Sequence, residues 1–355
     1  MKAVKQGFRM RILRDQGKIQ KICVIPAVLM LFAALPAELF SNLRKPSQRT
    51  IELTERLVIA ESDTKSLHGL KIWIPLPKED PYQRSKIMAI ESRIPHVMTQ
   101  DPDFGNPMLY FESKNDLNHD VVIEIKHRIV RKEQLVLERS SEPNPNHVKP
   151  ASPAAYLSPR GLESADPAIR RIASELSAGI SDPLQKARAI YRYVLDHMRY
   201  DKRGNGWGRG DALHACQVGK GNCTDFHALF ISLAKASGIP ARFFMGFPLP
   251  KGPSGELPAG YHCWAEFYVA GRGWIPVDAS EGRKNKDKSG YFFGNLDPDR
   301  VLMSEGRGIR LSPQQAGPDL NYLSNPYVEI DGKPFDRYKL ERTYKNTDIK
   351  GEEKL

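Results

Sequence analysis

Strands first and helices later is the order this sequence predicts: a β-rich unit, then a unit of helices and antiparallel strands. Three observations predict it. Residues 50–138 hold long runs in which apolar and polar side chains alternate. Two acid-proline pairs, Asp166-Pro167 and Asp182-Pro183, each open a helical pattern. From residue 223 a single apolar helical stripe is followed by strand-like runs separated by glycine-rich turns. At 355 residues the chain exceeds one typical domain and can bury a substantial core, so two folded units are expected.

The amino end stands apart. Lys2, Lys5, Arg9, Arg11, Arg14, Lys18 and Lys21 precede an apolar run at 22–37 that only Pro26 and Pro36 interrupt. A run of about sixteen apolar residues is short for a spanning helix and suits the central region of a signal peptide. Ala34-Leu35-Pro36-Ala37 offers small residues for cleavage. Residues 1–40 therefore read as a signal peptide or, if retained, as an N-terminal membrane anchor. Either way the remainder is expected to be exported, in the periplasm or attached to the inner membrane and facing it. The formal net charge is +11, but seven of the cations lie in residues 1–37 with one acid, Asp15, so the rest is only mildly basic. No basic stripe is interleaved with aromatics, which argues against a nucleic-acid partner.

Within 50–140 the alternating runs are Ile51-Glu52-Leu53-Thr54-Glu55-Arg56-Leu57-Val58-Ile59, Leu70-Lys71-Ile72-Trp73-Ile74 and Val121-Val122-Ile123-Glu124-Ile125-Lys126. They predict a β-sandwich-like domain that walls a cleft or holds a partner. Residues 141–160, rich in Pro, Asn and Ser, predict a linker. In the second proline-led helix Leu184, Ala187, Ile190, Tyr191, Val194 and Leu195 share one face for packing. Residues 161–335 are expected to form the second domain and 336–355 a tail, frayed from residue 346.

Phe226, Leu229, Phe230, Leu233 and Ala234 mark a buried helical stripe that Gly238 and Pro240 end, so Cys223 falls in the helix's first turn. Unpaired N–H groups and the positive end of the dipole favour a thiolate there, and the same N–H groups can hold a developing oxyanion. Asn222 is a good cap, with Asp225 completing a weak capping box. Strands are expected at 241–247, 261–269 and 274–277. Alternation puts His262, Trp264, Glu266 and Tyr268 on one face and Cys263, Ala265, Phe267 and Val269 on the other, core face. His262 is then expected to face the helix terminus and Cys263 to point away. An antiparallel pairing can set Asp278 beside His262, fixing the imidazole's tautomer. A charged loop is expected from Glu281 to Gly290.

These residues carry a resemblance. The stretch from Gly221-Asn222-Cys223-Thr224-Asp225-Phe226 through Tyr261-His262-Cys263-Trp264 to Asp278 resembles the core of the transglutaminase-like superfamily, a papain-type arrangement. Gly206-Trp207-Gly208-Arg209-Gly210-Asp211 and Tyr291-Phe292-Phe293-Gly294-Asn295-Leu296-Asp297-Pro298-Asp299-Arg300 are similar to bacterial exported members, and the resemblance spans roughly residues 50 to 335. It implies an α+β fold in which a helix bearing the cysteine packs on an antiparallel sheet. It implies Cys223 as nucleophile, His262 as general base and acid, and Asp278 as the orienting carboxylate. Such sites run transamidation, deamidation or peptide and amide hydrolysis through a thioester, so the implied substrate is an amide in a protein, a peptide or an envelope polymer. Trp207 and Tyr200 are candidates for the aromatic that the family's crosslinkers place near the oxyanion, and Thr224 is a further oxyanion or cleft candidate.

No cofactor or metal is expected. There is no EF-hand-like loop, no close CxxC pair and no HExxH spacing, and Asp297-Pro298-Asp299 reads as a turn. His227, four residues after Cys223, is expected to pack at the cleft edge or to hydrogen-bond locally. Beyond Cys23 in the leader the chain has Cys216, Cys223 and Cys263, and the first and last of these either pair or stay free. An exported binding module that shares the fold without catalysis is the competing reading.

Overall fold

Alternating apolar residues in the first stretch form strands, as a period of two requires. The structure, a computed structural model, describes residues 45–65, 69–114, 117, 119–138 and 153–347. The expected leader or anchor at 1–40, most of the expected linker and residues 348–355 lie outside the described residues. Strand β1 (Gln48–Ile59) is followed by the short α1 (Glu61–Thr64), β2 (Leu70–Pro75), β3 (Gln83–Ser92), β4 (His96–Gln100), β5 (Pro107–Ser113), β6 (Val121–Lys132) and the two-residue β7 (Gln134–Leu135). Leu57 and Ile59 of β1 meet Ile72 of β2, Phe111 of β5 and Ile123 of β6 in one core. Each such side chain contributes about 1.5–3 kcal/mol when fully buried.

Both proline-led helices form: α2 (Pro167–Ser177), capped by Asp166 accepting from the Ala168 N–H at 2.8 Å, and α3 (Pro183–His197), capped by Asp182 accepting from the Leu184 N–H at 3.1 Å. There follow β8 (Arg199–Tyr200), α4 (Ala212–Val218), β9 (Lys220–Gly221), α5 (Cys223–Ala236), β10 (Ala241–Pro248), β11 (Ser254–Glu256), β12 (His262–Val269), β13 (Gly273–Val277), α6 (Ala279–Lys284), β14 (Asn295–Leu296) and β15 (Arg300–Glu305). An antiparallel sheet of order β13-β12-β10-β15 carries α5 on one face, where Phe226, Phe230 and Leu233 join Phe243, Phe267 and Ile275 in a core. Between β10 and β15 the register shifts at Met245/Gly246. A side chain at 246 would put its Cβ 1.8 Å from the Val301 carbonyl oxygen, so only glycine permits this approach. The fold is α+β, with a helix bearing the cysteine on an antiparallel sheet.

The chain then returns to the first region as β16 (Tyr327–Ile330), β17 (Lys333–Phe335) and β18 (Lys339–Asn346). Two five-stranded sheets result, of order β11-β18-β1-β6-β3 and β17-β16-β2-β5-β4. Within the expected tail at 336–355, residues 339–346 are corrected to a strand, because β18 pairs antiparallel with β1 from Leu57↔Leu340 through Leu53↔Tyr344. Its apolar content is only Leu340 and Tyr344, so the strand reads as a charged tail. Pairing with β1 and the contact of Arg342 Nε with Glu55 Oε1 at 2.5 Å hold it instead.

Candidate active site

The N-terminus of α5 is built by a complete capping box: Asn222 Oδ1 accepts from the Thr224 N–H at 3.0 Å, and Asp225 Oδ2 accepts from the Asn222 N–H at 2.8 Å. Gly221 makes room for the returning carboxylate, since a Cβ there would lie 2.2 Å from Asp225 Oδ2. Asp225 also accepts from the N–H groups of Gly208 at 2.7 Å and Gly210 at 2.9 Å, which ties the glycine-rich loop to the helix. Tyr261 adds a strut, accepting from Asn222 Nδ2 at 2.9 Å and donating to the Gly208 carbonyl at 3.1 Å. The Thr224 N–H is committed to Asn222, and its single hydroxyl proton lies between two acceptors, Asn222 Oδ1 and the Gly208 carbonyl, the latter at 3.0 Å. Thr224 is therefore corrected from oxyanion candidate to structural anchor. The Cys223 N–H, at the first helical position, has no carbonyl four residues back to bond and remains available.

His262 is the first residue of β12 and Asp278 lies just past β13, so both side chains sit at the end of the sheet where α5 begins. His262 Nε2 is 2.7 Å from Asp278 Oδ2. The same oxygen accepts from Arg300 Nη1 at 2.9 Å, while Oδ1 accepts from the Ser280 hydroxyl at 3.0 Å and the Glu281 N–H at 2.9 Å. Asp278 thus caps α6, which replaces the start of the charged loop expected at 281–290. Six residues show no apolar period, and the acid pair Asp278 and Glu281 was the only available signal.

The expectation for Cys263 is reversed. Its core face is the face that carries α5, so Cys263 packs against the nucleophile's helix, with Sγ 3.4 Å from His227 Nδ1. His227 is fully buried; its Nε2 accepts from the Ala279 N–H at 3.0 Å, and Nδ1 lies 2.8 Å from the Cys223 carbonyl. A nitrogen that accepts an amide hydrogen carries no proton, so Nδ1 is the donor and the ring is neutral. Burial lowers the pKa of His227 in agreement. The expected local hydrogen bond is present, but at the heart of the site and not at its edge.

Electrostatics separate the thiols. A hydrogen bond from Cys263, opposed by burial and reinforced by the hydrogen bond and charge of His262, draws the Cys223 thiol well below its ordinary 9.0. Burial, then the Cys223 partner, pushes Cys263 well above it. Burial alone would lower His262, but the charge and hydrogen bond of Asp278 and the hydrogen bond to Cys223 outweigh it, pushing the imidazole up to about 9. Asp278 resists burial through the His262 charge and hydrogen bond and the Arg300 charge, which hold it well below the usual carboxylate range. The two shifts, one down and one up, favour a thiolate beside an imidazolium.

His262, 6% exposed, opens with Arg300, Glu281, Tyr291 and Phe292 onto a cleft of about 870 Å³; Cys223 itself is 2% exposed. Tyr200 flanks the site, its ring 6.2 Å from Phe226 and under the Lys284 ammonium at 4.7 Å, and burial and then the Cys223 charge raise its phenol. Trp207 is at the surface, 36% exposed, with Lys202 Nζ 5.8 Å from its ring. Cys216 and Cys263 are both free. Among the described residues no His, Cys, Asp and Glu group is arranged to hold a metal. Sequence reasoning missed Arg300 as a partner of Asp278, because nothing in a chain separation of 22 residues signals the contact.

Fold and site together define an α+β protein in which Cys223 opens a buried helix and His262 contacts Asp278 at the end of the sheet that carries it. Residues 170–279 match the family model of the transglutaminase-like superfamily. An uncharacterized protein of Haemophilus influenzae is 29% identical over 308 residues, 75% of this chain and 82% of its own. A crystal structure from Cytophaga hutchinsonii, of a protein its name proposes to be a cysteine protease, matches with a TM-score of 0.55 and 16% identity, covering 86% of this chain and 93% of that one; it shows the shared fold. The periplasmic domain of TgpA from Pseudomonas aeruginosa is 14% identical over 65% of this chain and 95% of its own, with a TM-score of 0.33.

Proposed function

We propose that this protein is an exported, thiol-dependent acyl-transfer enzyme acting on an amide in a protein, peptide or envelope polymer. The observation that carries the reading is the chain from Cys223 through His262 to Asp278, in which a buried thiol is pulled down and an imidazole pushed up. In the first step the Cys223 thiolate attacks the amide carbonyl carbon, and the oxygen's negative charge develops toward the free Cys223 N–H. The His262 imidazolium then gives its proton to the departing amine, the C–N bond breaks, and a thioester remains. In the second step neutral His262 takes a proton from water or an amine as it attacks the thioester, and Cys223 leaves as thiolate. Asp278 keeps the imidazole oriented throughout.

Hydrolysis is favoured over crosslinking because water is always present, whereas crosslinking needs a second bound substrate, for which the sequence gives no lysine site. Export rests on the basic and then apolar start of the chain. Incubation with a glutamine-containing casein and a fluorescent amine distinguishes the outcomes: new amino termini are expected, whereas incorporated amine selects transamidation and ammonia alone deamidation. No product with any of these, together with a Cys223 that alkylates like an ordinary thiol, returns the protein to a binding module.

A further inference from the structure

Arg300 opens β15 at the end of the Asp297-Pro298-Asp299 turn and is only 2% exposed, yet its side chain borders the cleft beside His262. Its guanidinium is forked between two acids: Nη1 reaches Asp278 Oδ2 at 2.9 Å, and Nε and Nη2 each reach Asp297 Oδ1 at 3.3 Å. The face of the fork lies 5.1 Å from the Trp264 ring, whose centroid is 6.3 Å from that of His262. A buried cation is costly unless paired, and this one is placed on the oxygen that already serves the imidazole. One lone-pair direction of Oδ2 is thereby filled by Arg300 and the other by His262, which leaves the carboxylate one orientation.

Building on the acyl-transfer reading, we infer that Arg300 is a positioning residue of the site: it fixes the Asp278 carboxylate against His262 and, by sharing its charge, sets the upper pH at which the imidazolium gives up its proton. The charged and titratable groups around His262 are Cys223 and His227 from α5, Cys263 from its own strand, Asp278 and Glu281 at α6, and Arg300 with Asp297 from the approach to β15. Of these Arg300 is the cation in contact with the acid, and its charge opposes protonation of His262. Glu281 and Asp297 temper that charge from the other side. A merely structural arginine would stabilise the corner without moving the imidazole's titration.

The test is the rate of Cys223 alkylation by iodoacetamide against pH, with turnover beside it, in the full chain and in Arg300→Gln and Arg300→Lys. In the unaltered protein the rate rises at low pH as the thiolate forms and changes again where His262 deprotonates. Arg300→Gln is expected to move that upper limb upward by about one pH unit and to slow turnover by roughly tenfold or more. Arg300→Lys, which keeps the charge but cannot span both acids, is expected to leave the limb in place and still slow turnover. An unmoved upper limb in folded Arg300→Gln overturns the inference. If circular dichroism shows that variant unfolded, Asp297→Asn decides: freeing the Arg300 charge should move the limb downward, and an unmoved limb overturns the inference. An unaltered protein that titrates as an ordinary thiol overturns the acyl-transfer reading itself, a result distinct from either.

Discussion

Among the described residues two acid–histidine–arginine groups are buried, and they behave oppositely. In the first five-stranded sheet Glu55 of β1 lies 3.7 Å from His127 Nε2 and 2.5 Å from Arg342 Nε. At the sheet corner Asp278 lies 2.7 Å from His262 Nε2 and 2.9 Å from Arg300 Nη1. Neither ring nitrogen of His127 has a hydrogen-bond partner, and burial lowers its pKa. His262, nearly as buried, is pushed up to about 9 by Asp278 and Cys223. An ångström of separation and a neighbouring thiol decide which histidine carries charge. Residue types alone do not make the site; the hydrogen-bonded contact does.

The largest expected effect breaks the comparison at its functional end. Cys223→Ala should abolish turnover, and Asp278→Asn should lower it by roughly 10³-fold or more with the fold retained, measured as product release from the casein substrate. At the other end Glu55→Gln should leave turnover and alkylation unchanged while costing about 3 kcal/mol of stability, as the buried positive group loses its partner, measured by urea unfolding.

The two histidines should also pull stability in opposite directions with pH. His262 is raised above its ordinary 6.5, so the folded state holds its proton more tightly; its contribution is complete below 6.5 and is lost as pH rises through about 9. His127 is lowered, so its contribution is complete above 6.5 and is lost as pH falls below that value. Urea midpoints from pH 5 to pH 9 should therefore flatten on the alkaline side in His262→Ala and on the acid side in His127→Leu. The smallest effect belongs to Tyr200→Phe. Its protonated phenol flanks the thiolate, and removing it should slow turnover only a few-fold, with the helix intact.

What the sequence made legible was local. The Asn222 cap, its Asp225 partner, both proline-led helices and the pairing of β12 with β13 depend on residues a few positions apart. What escaped depended on distant partners. Strand β18 looks like a charged tail because its stability comes from β1, nearly three hundred residues away. Cys263 was assigned to the right face, but which face receives α5 is a tertiary fact. Arg300 carries no local mark, for its role comes from Asp278 on another element. Thr224 looked free only because the loop that claims its hydroxyl returns from residue 208.

The central claim is that Cys223 is a thiolate held by His262, and its most direct test is the pH at which each cysteine is alkylated, located by mass spectrometry. Cys223 should react with iodoacetamide well below pH 9, ahead of Cys216 and Cys263, and His262→Ala should slow that reaction and shift its onset upward. Alkylation of Cys223 with the onset of an ordinary thiol, unchanged when His262 is removed, would contradict the account.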